Sequence, residues 1–166
     1  MFRRAPWIFS GLLLWSGLVG SARETDDPWI RGVFTGRSPR PVAAPDTEAW
    51  QRAGALAEQL PGVFVLVGSG ESMQPLYAPG TILVMQRCAY DKLLPGQTAL
   101  YRNLVGKVVA HVLVTRARDG WRATGLNNLI HDMEPVVAEN FVGVVIAAFQ
   151  PSRSSRNVRV ASAGRP

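Results

Sequence analysis

Apolar and polar positions change texture along the chain. Residues 5–22 hold Trp7, Ile8, Phe9, Leu18, Val19 and the run at 12–15, with no charged residue among them. Further on, Trp50, Ala53, Leu56, Ala57 and Leu60 recur at spacings of three and four behind Asp46 or Thr47, either of which can cap a helix, and Pro61-Gly62 ends the pattern. One short amphipathic helix is predicted there. From residue 63 the texture becomes short β-branched runs, at 63–67, 81–86, 97–102, 107–115, 121–124 and 141–149. Turn signals separate them: Ala78-Pro79-Gly80, Leu94-Pro95-Gly96, Val105-Gly106, Asp119-Gly120 and Asn127-Asn128. Strands at this spacing predict a mainly β domain, a coiled and partly closed antiparallel sheet with one short N-terminal helix.

The segments around this domain read differently. Arg3 and Arg4 precede the uncharged stretch, and Gly20-Ser21-Ala22 offers small residues for processing, so residues 1–22 are predicted to be a signal peptide or an N-terminal membrane anchor. Either way the domain is expected outside the cytoplasm, periplasmic or otherwise extracytoplasmic, soluble after cleavage near Ala22 or held by residues 5–22. Residues 23–45 are rich in proline, glycine and arginine, lack an apolar period and read as a linker. Residues 46–150 form the domain, and 151–166 a flexible basic tail.

A chain of 166 residues, 47% of them hydrophobic, can bury one core. The net charge of +6 is carried by arginines spread thinly along the chain, with only Lys92 and Lys107 as lysines. No basic helix or aromatic-interleaved basic stripe is present, which argues against a nucleic-acid partner and leaves a membrane as the expected one. Cys88 is alone and cannot form an internal disulfide, and its place just after an apolar run reads as a packed residue. Two histidines and one cysteine make no convincing ligand set, so no metal and no cofactor are expected.

The segment Gly68-Ser69-Gly70-Glu71-Ser72-Met73-Gln74-Pro75-Leu76 carries the candidate chemistry. A buried-type strand runs into a small-residue loop, then a serine, then a proline, which presents a hydroxyl on a constrained turn. A nucleophilic serine needs reach, a base and backbone N–H groups aimed at the developing oxyanion, and such a turn supplies the first and third. Gly70, Glu71 and Met73 would form the oxyanion and substrate loop around it. By chemistry alone, a serine in a glycine-rich turn is more often a turn residue than a nucleophile.

Ser72-Met73-Gln74-Pro75, followed by Pro79-Gly80 and an apolar run, resembles the serine box of the signal peptidases and the related self-cleaving repressors. The likeness continues through residues 95–102, through Val109-Ala110-His111-Val112-Leu113 at the general-base strand, through residues 124–132, where Asn127-Asn128 precedes Asp132, and through Phe141-Val142-Gly143-Val144-Val145. It covers roughly residues 63 to 149, and its histidine is similar to that of the endoplasmic-reticulum and archaeal type. The resemblance implies a sheet of the signal peptidase catalytic core type, with Ser72 as nucleophile, His111 as general base and Asp132 as the carboxylate that orients the imidazole. It also implies a peptide or protein substrate with small residues near the scissile bond. Where the family usually places aspartate after glycine, this chain has Thr81, Gln97 and Leu126, a change expected to remove polar braces around the site. That departure keeps a second reading open, an exported module that retains the fold as a binding or scaffold protein without activity.

Alternation along 107–115 puts Val108, Ala110, Val112 and Val114 on one apolar face and Lys107, Val109, His111, Leu113 and Thr115 on the other, so His111 is expected to face away from the main core. Lys107, the nearest choice if the base were a lysine, is roughly 13 Å from His111 along an extended strand, so without a bulge the two cannot both serve one serine. His131 adjoins Asp132 and is expected to point the other way. Residues 63–67 are the expected edge on which an extended substrate would pair.

Overall fold

The computed structural model describes residues 27–152. The expected signal or anchor at 1–22 lies outside them, as does the tail beyond residue 152. The strands are β1 (Trp29–Ile30), β2 (Val33–Phe34), β3 (Val42–Pro45), β4 (Val63–Val67), β5 (Ile82–Gln86), β6 (Thr98–Arg102), β7 (Val108–Ala117), β8 (Gly120–Thr124) and β9 (Phe141–Ser152), with one helix, α1 (Asp46–Gln59), between β3 and β4. The chain is mainly β with antiparallel pairing and one helix, as the alternating runs predict.

The expected partial closure is not found. The main sheet runs β4-β5-β9-β6-β7-β8, and no ladder joins β4 to β8 among the described residues. Its hub is β9, which pairs antiparallel with β6 through Phe141 to Val144 and with β5 through Val144 to Phe149, then parallel with β3 through Phe149 to Ser152. Register shifts at Val84/Met85 and Leu100/Tyr101 mark bulges on either side of this hub, and bulges bend a strand and increase its local twist. Gly143 sits at the crowded point, where a Cβ would stand 2.7 Å from the Gln86 carbonyl oxygen. A long strand shared between neighbours spreads the sheet instead of bringing its two ends together.

The helix packs through Ala49 and Ala53, both fully buried, against Ala44, Ile82, Val84 and Phe149. Its N-cap is Pro45, without a side-chain cap, and Asp46 and Glu48 lie in the first turn, where carboxylates oppose the positive helix end. Trp50 falls off the packed face and is half exposed, because the small alanines let α1 lie close to the sheet and turn the tryptophan outward.

The stretch read as a linker is ordered from Trp29 onward. β1 and β2 form a hairpin, and β3 joins the sheet. Ile30, Val33 and Ala44 pack on the core, and polar bonds hold the stretch between: the Thr35 N–H and hydroxyl both donate to the Pro28 carbonyl at 2.6 and 2.9 Å, the Ser38 hydroxyl bonds the Gly96 carbonyl at 2.8 Å and the Thr98 hydroxyl at 2.7 Å, and the Tyr77 hydroxyl donates to the Pro39 carbonyl at 2.8 Å. Hydrogen bonds of this kind leave no apolar period for sequence reading to detect. β9 also continues to Ser152, so the first residues assigned to the tail are strand.

Ile82 is 1% exposed between the helix and β9. Ile82→Ala is therefore expected to cost about 2–5 kcal/mol of unfolding free energy, read as a lower urea midpoint at unchanged slope.

Candidate active site

The site forms where β8 stops short of β7. β8 ends at Thr124 opposite Val112, so the side of β7 from Val108 to His111 that faces away from β6 has no strand neighbour among the described residues. Two loops come to that gap. One carries Ser72 from the end of β4, and the other, residues 125–132, carries Asp132 from the end of β8.

The first loop is held by burial. Gly68 N–H donates to Thr81 O at 2.9 Å and Gly80 N–H to Gly68 O at 2.7 Å, extending the β4–β5 ladder by a step. The chain then makes a tight turn, with Gln74 N–H on Glu71 O at 3.1 Å and Tyr77 N–H on Met73 O at 3.0 Å. Met73, Leu76 and Tyr77 drop into the core while Glu71 and Pro75 face outward, which fixes Ser72 at the rim with its hydroxyl toward β7. Of the residues expected to shape this loop, Gly70 and Met73 line a cleft beside Ser72, whereas Glu71 is exposed and does not line it. Among the described residues no acceptor takes the Ser72 N–H, which leaves that donor available for an oxyanion.

The second loop is tied to the first and to the sheet. Asn127 N–H donates to Ser72 O at 2.7 Å, Asn128 N–H to Gly125 O at 3.1 Å, and Asp132 N–H to Ala123 O at 3.0 Å. Arg31, at the tip of the β1–β2 hairpin, braces it from outside through Asn127 Oδ1 at 2.7 Å. Asp132 turns inward and His131 outward.

These constraints bring the three expected residues into line. His111 Nε2 lies 3.0 Å from Ser72 Oγ, and His111 Nδ1 lies 2.7 Å from Asp132 Oδ2. His111 faces away from the cluster that holds Ala110 and Val112, as expected, but it is only 6% exposed because a second cluster lies on its own side. Both faces of β7 are covered: Val112 belongs to one core cluster and Leu113 to another, with Tyr101, Trp121 and Val136 filling the His111 side. Lys107 is exposed, precedes β7 and lines the far part of the cleft.

Sequence reading passed over Tyr101. It is fully buried on β6, and its hydroxyl donates to Asp132 Oδ2, with His111 Nδ1 at 3.3 Å. Burial, and after it the bonded Asp132 carboxylate, push the phenol far above its usual titration range, so it remains a proton donor. The available signal was positional: Ala99 pairs with His111, and Tyr101 shares the Ala99 face two residues on.

The cleft beside Ser72 encloses about 260 Å³. Leu66 and Val67 of β4 form one wall, Val108, Val109 and Ala110 the other, with Met73, Leu83 and Leu100 below. Its walls are apolar and its two sides are the free backbone edges of β4 and of the first half of β7. The arrangement can deprotonate a hydroxyl beside an apolar slot of strand width.

The chain matches no protein-family model and no curated protein. A Cβ at Gly125 would lie 2.9 Å from Ser72 O and 2.7 Å from Asn128 Nδ2. Gly125→Ala is therefore expected to push the two loops apart and lower acylation of Ser72 by about 100-fold, as small displacements of reacting groups do. Fluorophosphonate labelling checks this, with circular dichroism showing the fold retained.

Proposed function

We propose that the protein is an extracytoplasmic serine endopeptidase resembling the signal peptidases. The observation that carries this reading is the chain of contacts Ser72 Oγ, His111 Nε2, His111 Nδ1 and Asp132 Oδ2, at 3.0 and 2.7 Å, beside a cleft with two free strand edges. In this mechanism an extended peptide pairs along β4. His111 takes the Ser72 proton as the hydroxyl attacks a carbonyl, and the Ser72 N–H receives the oxyanion. His111 then gives its proton to the leaving amine and activates a water to release the acyl group. Asp132 orients the ring and balances its charge while it is protonated.

A membrane setting is part of the proposal. Leu129, Ile130 and Met133 on the loop that carries Asp132 are almost wholly exposed, as are Leu104 and Val105 on the turn between β6 and β7. Leu104 N–H donates to Glu134 Oε1 at 3.3 Å, so the two apolar tips are neighbours. Arg102 and Lys107 flank the turn. Apolar tips beside two cations, with the Glu134 carboxylate between them, suit a bilayer surface. No helix of the described residues is long and apolar enough to cross a membrane. The uncharged segment 5–22 would supply the anchor or export signal.

The second reading, an inactive exported module, is favoured by Leu126 alone among the replaced aspartates, since it is a buried core residue with no polar group to offer. Activity separates the two. Ser72→Ala is expected to abolish acyl-enzyme formation, and His111→Ala to come close to doing so. Asp132→Asn should retain partial activity, and Lys107→Ala should be the mildest of the set. A folded Ser72→Ala variant that cleaves peptides as well as the unmodified protein would sink the peptidase reading. Loss of activity in Lys107→Ala with His111→Ala spared would replace the histidine base by lysine.

A reporter joined after Pro166 is expected on the outer side of the cytoplasmic membrane. Recovery in the cytosol with residues 1–22 intact would refute the export proposal and leave the site chemistry standing.

A further inference from the structure

We infer that Tyr101 is a positioning residue: by donating its hydroxyl proton to Asp132 Oδ2 it fixes the carboxylate and, through it, the tautomer of His111 that leaves Nε2 free to accept the Ser72 proton. The inference rests on the peptidase reading for its kinetic consequence, though its structural content stands without it.

The argument is one of donors and acceptors around a single oxygen. Asp132 Oδ2 is approached by both the Tyr101 hydroxyl and His111 Nδ1, while the hydroxyl and Nδ1 are 3.3 Å from each other. A tyrosine hydroxyl has one proton, and a carboxylate only accepts. If that proton went to Nδ1, the bare nitrogen would face the carboxylate oxygen at 2.7 Å with lone pair against lone pair. The arrangement is satisfied only when tyrosine donates to Oδ2 and Nδ1 also carries a proton for Oδ2. The 3.3 Å contact is then the spacing of two donors that share one acceptor. With Nδ1 protonated, a neutral ring has its lone pair on Nε2, 3.0 Å from Ser72 Oγ. Tyr101 can hold this arrangement because it is itself fully buried in β6, paired with Val109 two residues from His111.

Asp132 needs the help. Its backbone is held by a single N–H bond to Ala123, it sits in a loop whose neighbours Leu129, Ile130 and Met133 are exposed, and no arginine or lysine pairs with it among the described residues. The other charge near Tyr101 is Glu134, an acid, which adds no donor. Hydrogen bonds to a charged group contribute more than neutral ones, so loss of this one should be visible.

The test uses the full chain, with Tyr101→Phe, Asp132→Asn and the double variant. Two measurements are made: the rate of Ser72 acylation by an activated peptide ester across pH, and the low-field proton resonance of the His111 Nδ1–H. The chain has only two histidines, and His131→Gln identifies the other signal. Tyr101→Phe is expected to slow acylation about tenfold or more. It should also move the rising limb of the pH profile upward, because a carboxylate relieved of one donor holds the imidazolium more tightly. The Nδ1 proton should shift or broaden. In the double variant the losses should not add, since both changes act through the same oxygen. Additive losses, or a Tyr101→Phe protein with the unmodified pH limb and Nδ1 resonance, would overturn the inference. If no variant, nor the unmodified protein, acylates, the peptidase reading fails, and the Nδ1 resonance still decides the role of Tyr101.

Discussion

β7 is ten residues long, yet β8 pairs with it only from Val112 onward. A half-paired strand in the middle of a domain leaves backbone groups without the neighbour that a sheet would supply. The edge from Val108 to Ala110 stays open along the cleft, and two loops close on its end at His111, each pinned at its base by ladder-like bonds: Gly68 to Thr81 on one side and Asp132 to Ala123 on the other. His111 is the last residue before the paired part begins. It therefore meets both loops at once, and the site depends on where β8 ends.

That placement carries an energetic demand. A histidine that is 6% exposed must have partners for both nitrogens, or the cost of burying an unsatisfied polar group falls on the fold. Ser72 and Asp132 satisfy one nitrogen each, and Tyr101 shares the second acceptor. The contacts that would transfer a proton are thus also those that make the burial tolerable. Such a network is costly when incomplete, which links the stability of the β7 region to the integrity of the candidate site.

What could be read in the sequence divides along the same physical line. The strands between residues 63 and 149 were legible because each is an apolar run bounded by turn residues, and Ser72 and His111 because they sit in segments whose order resembles a known arrangement. Closure of the sheet was misjudged because pairing partners depend on register, and register here is set by β9, a strand long enough to serve β3, β5 and β6 in turn. The segment from Trp29 to Pro45 was misread because its anchors are scattered: Ile30, Val33 and Ala44 pack singly or in a two-residue strand, and Thr35 and Ser38 bond backbone carbonyls, so no periodic signature results. Tyr101 was hidden for the opposite reason. A tyrosine among apolar residues on a strand looks like core, and it is core; only its hydroxyl, one atom out of the ring, enters the site.

Thr81, Gln97 and Leu126, expected to leave the loops around the site without polar braces, differ in what they do. Thr81 keeps a polar brace of its own, its one hydroxyl proton lying within reach of both Ala78 O and Gln150 Oε1 at 2.6 Å, and Gln97 accepts the Leu94 N–H at 2.8 Å. The expected loss of polar support is therefore corrected at those two positions. Leu126 is different: it is buried with Met73 and Leu76 in the cluster beneath the serine turn, so the loop that carries Asp132 is fastened near its start by apolar packing. Packing fixes position but has no direction, and it cannot decide which way a carboxylate several residues later will point. Directional bonds must come from elsewhere, and the Tyr101 hydroxyl, His111 Nδ1 and the Ala123 carbonyl reach Asp132 from the sheet. With an apolar residue at position 126, the work of aiming Asp132 falls to groups on β6, β7 and β8.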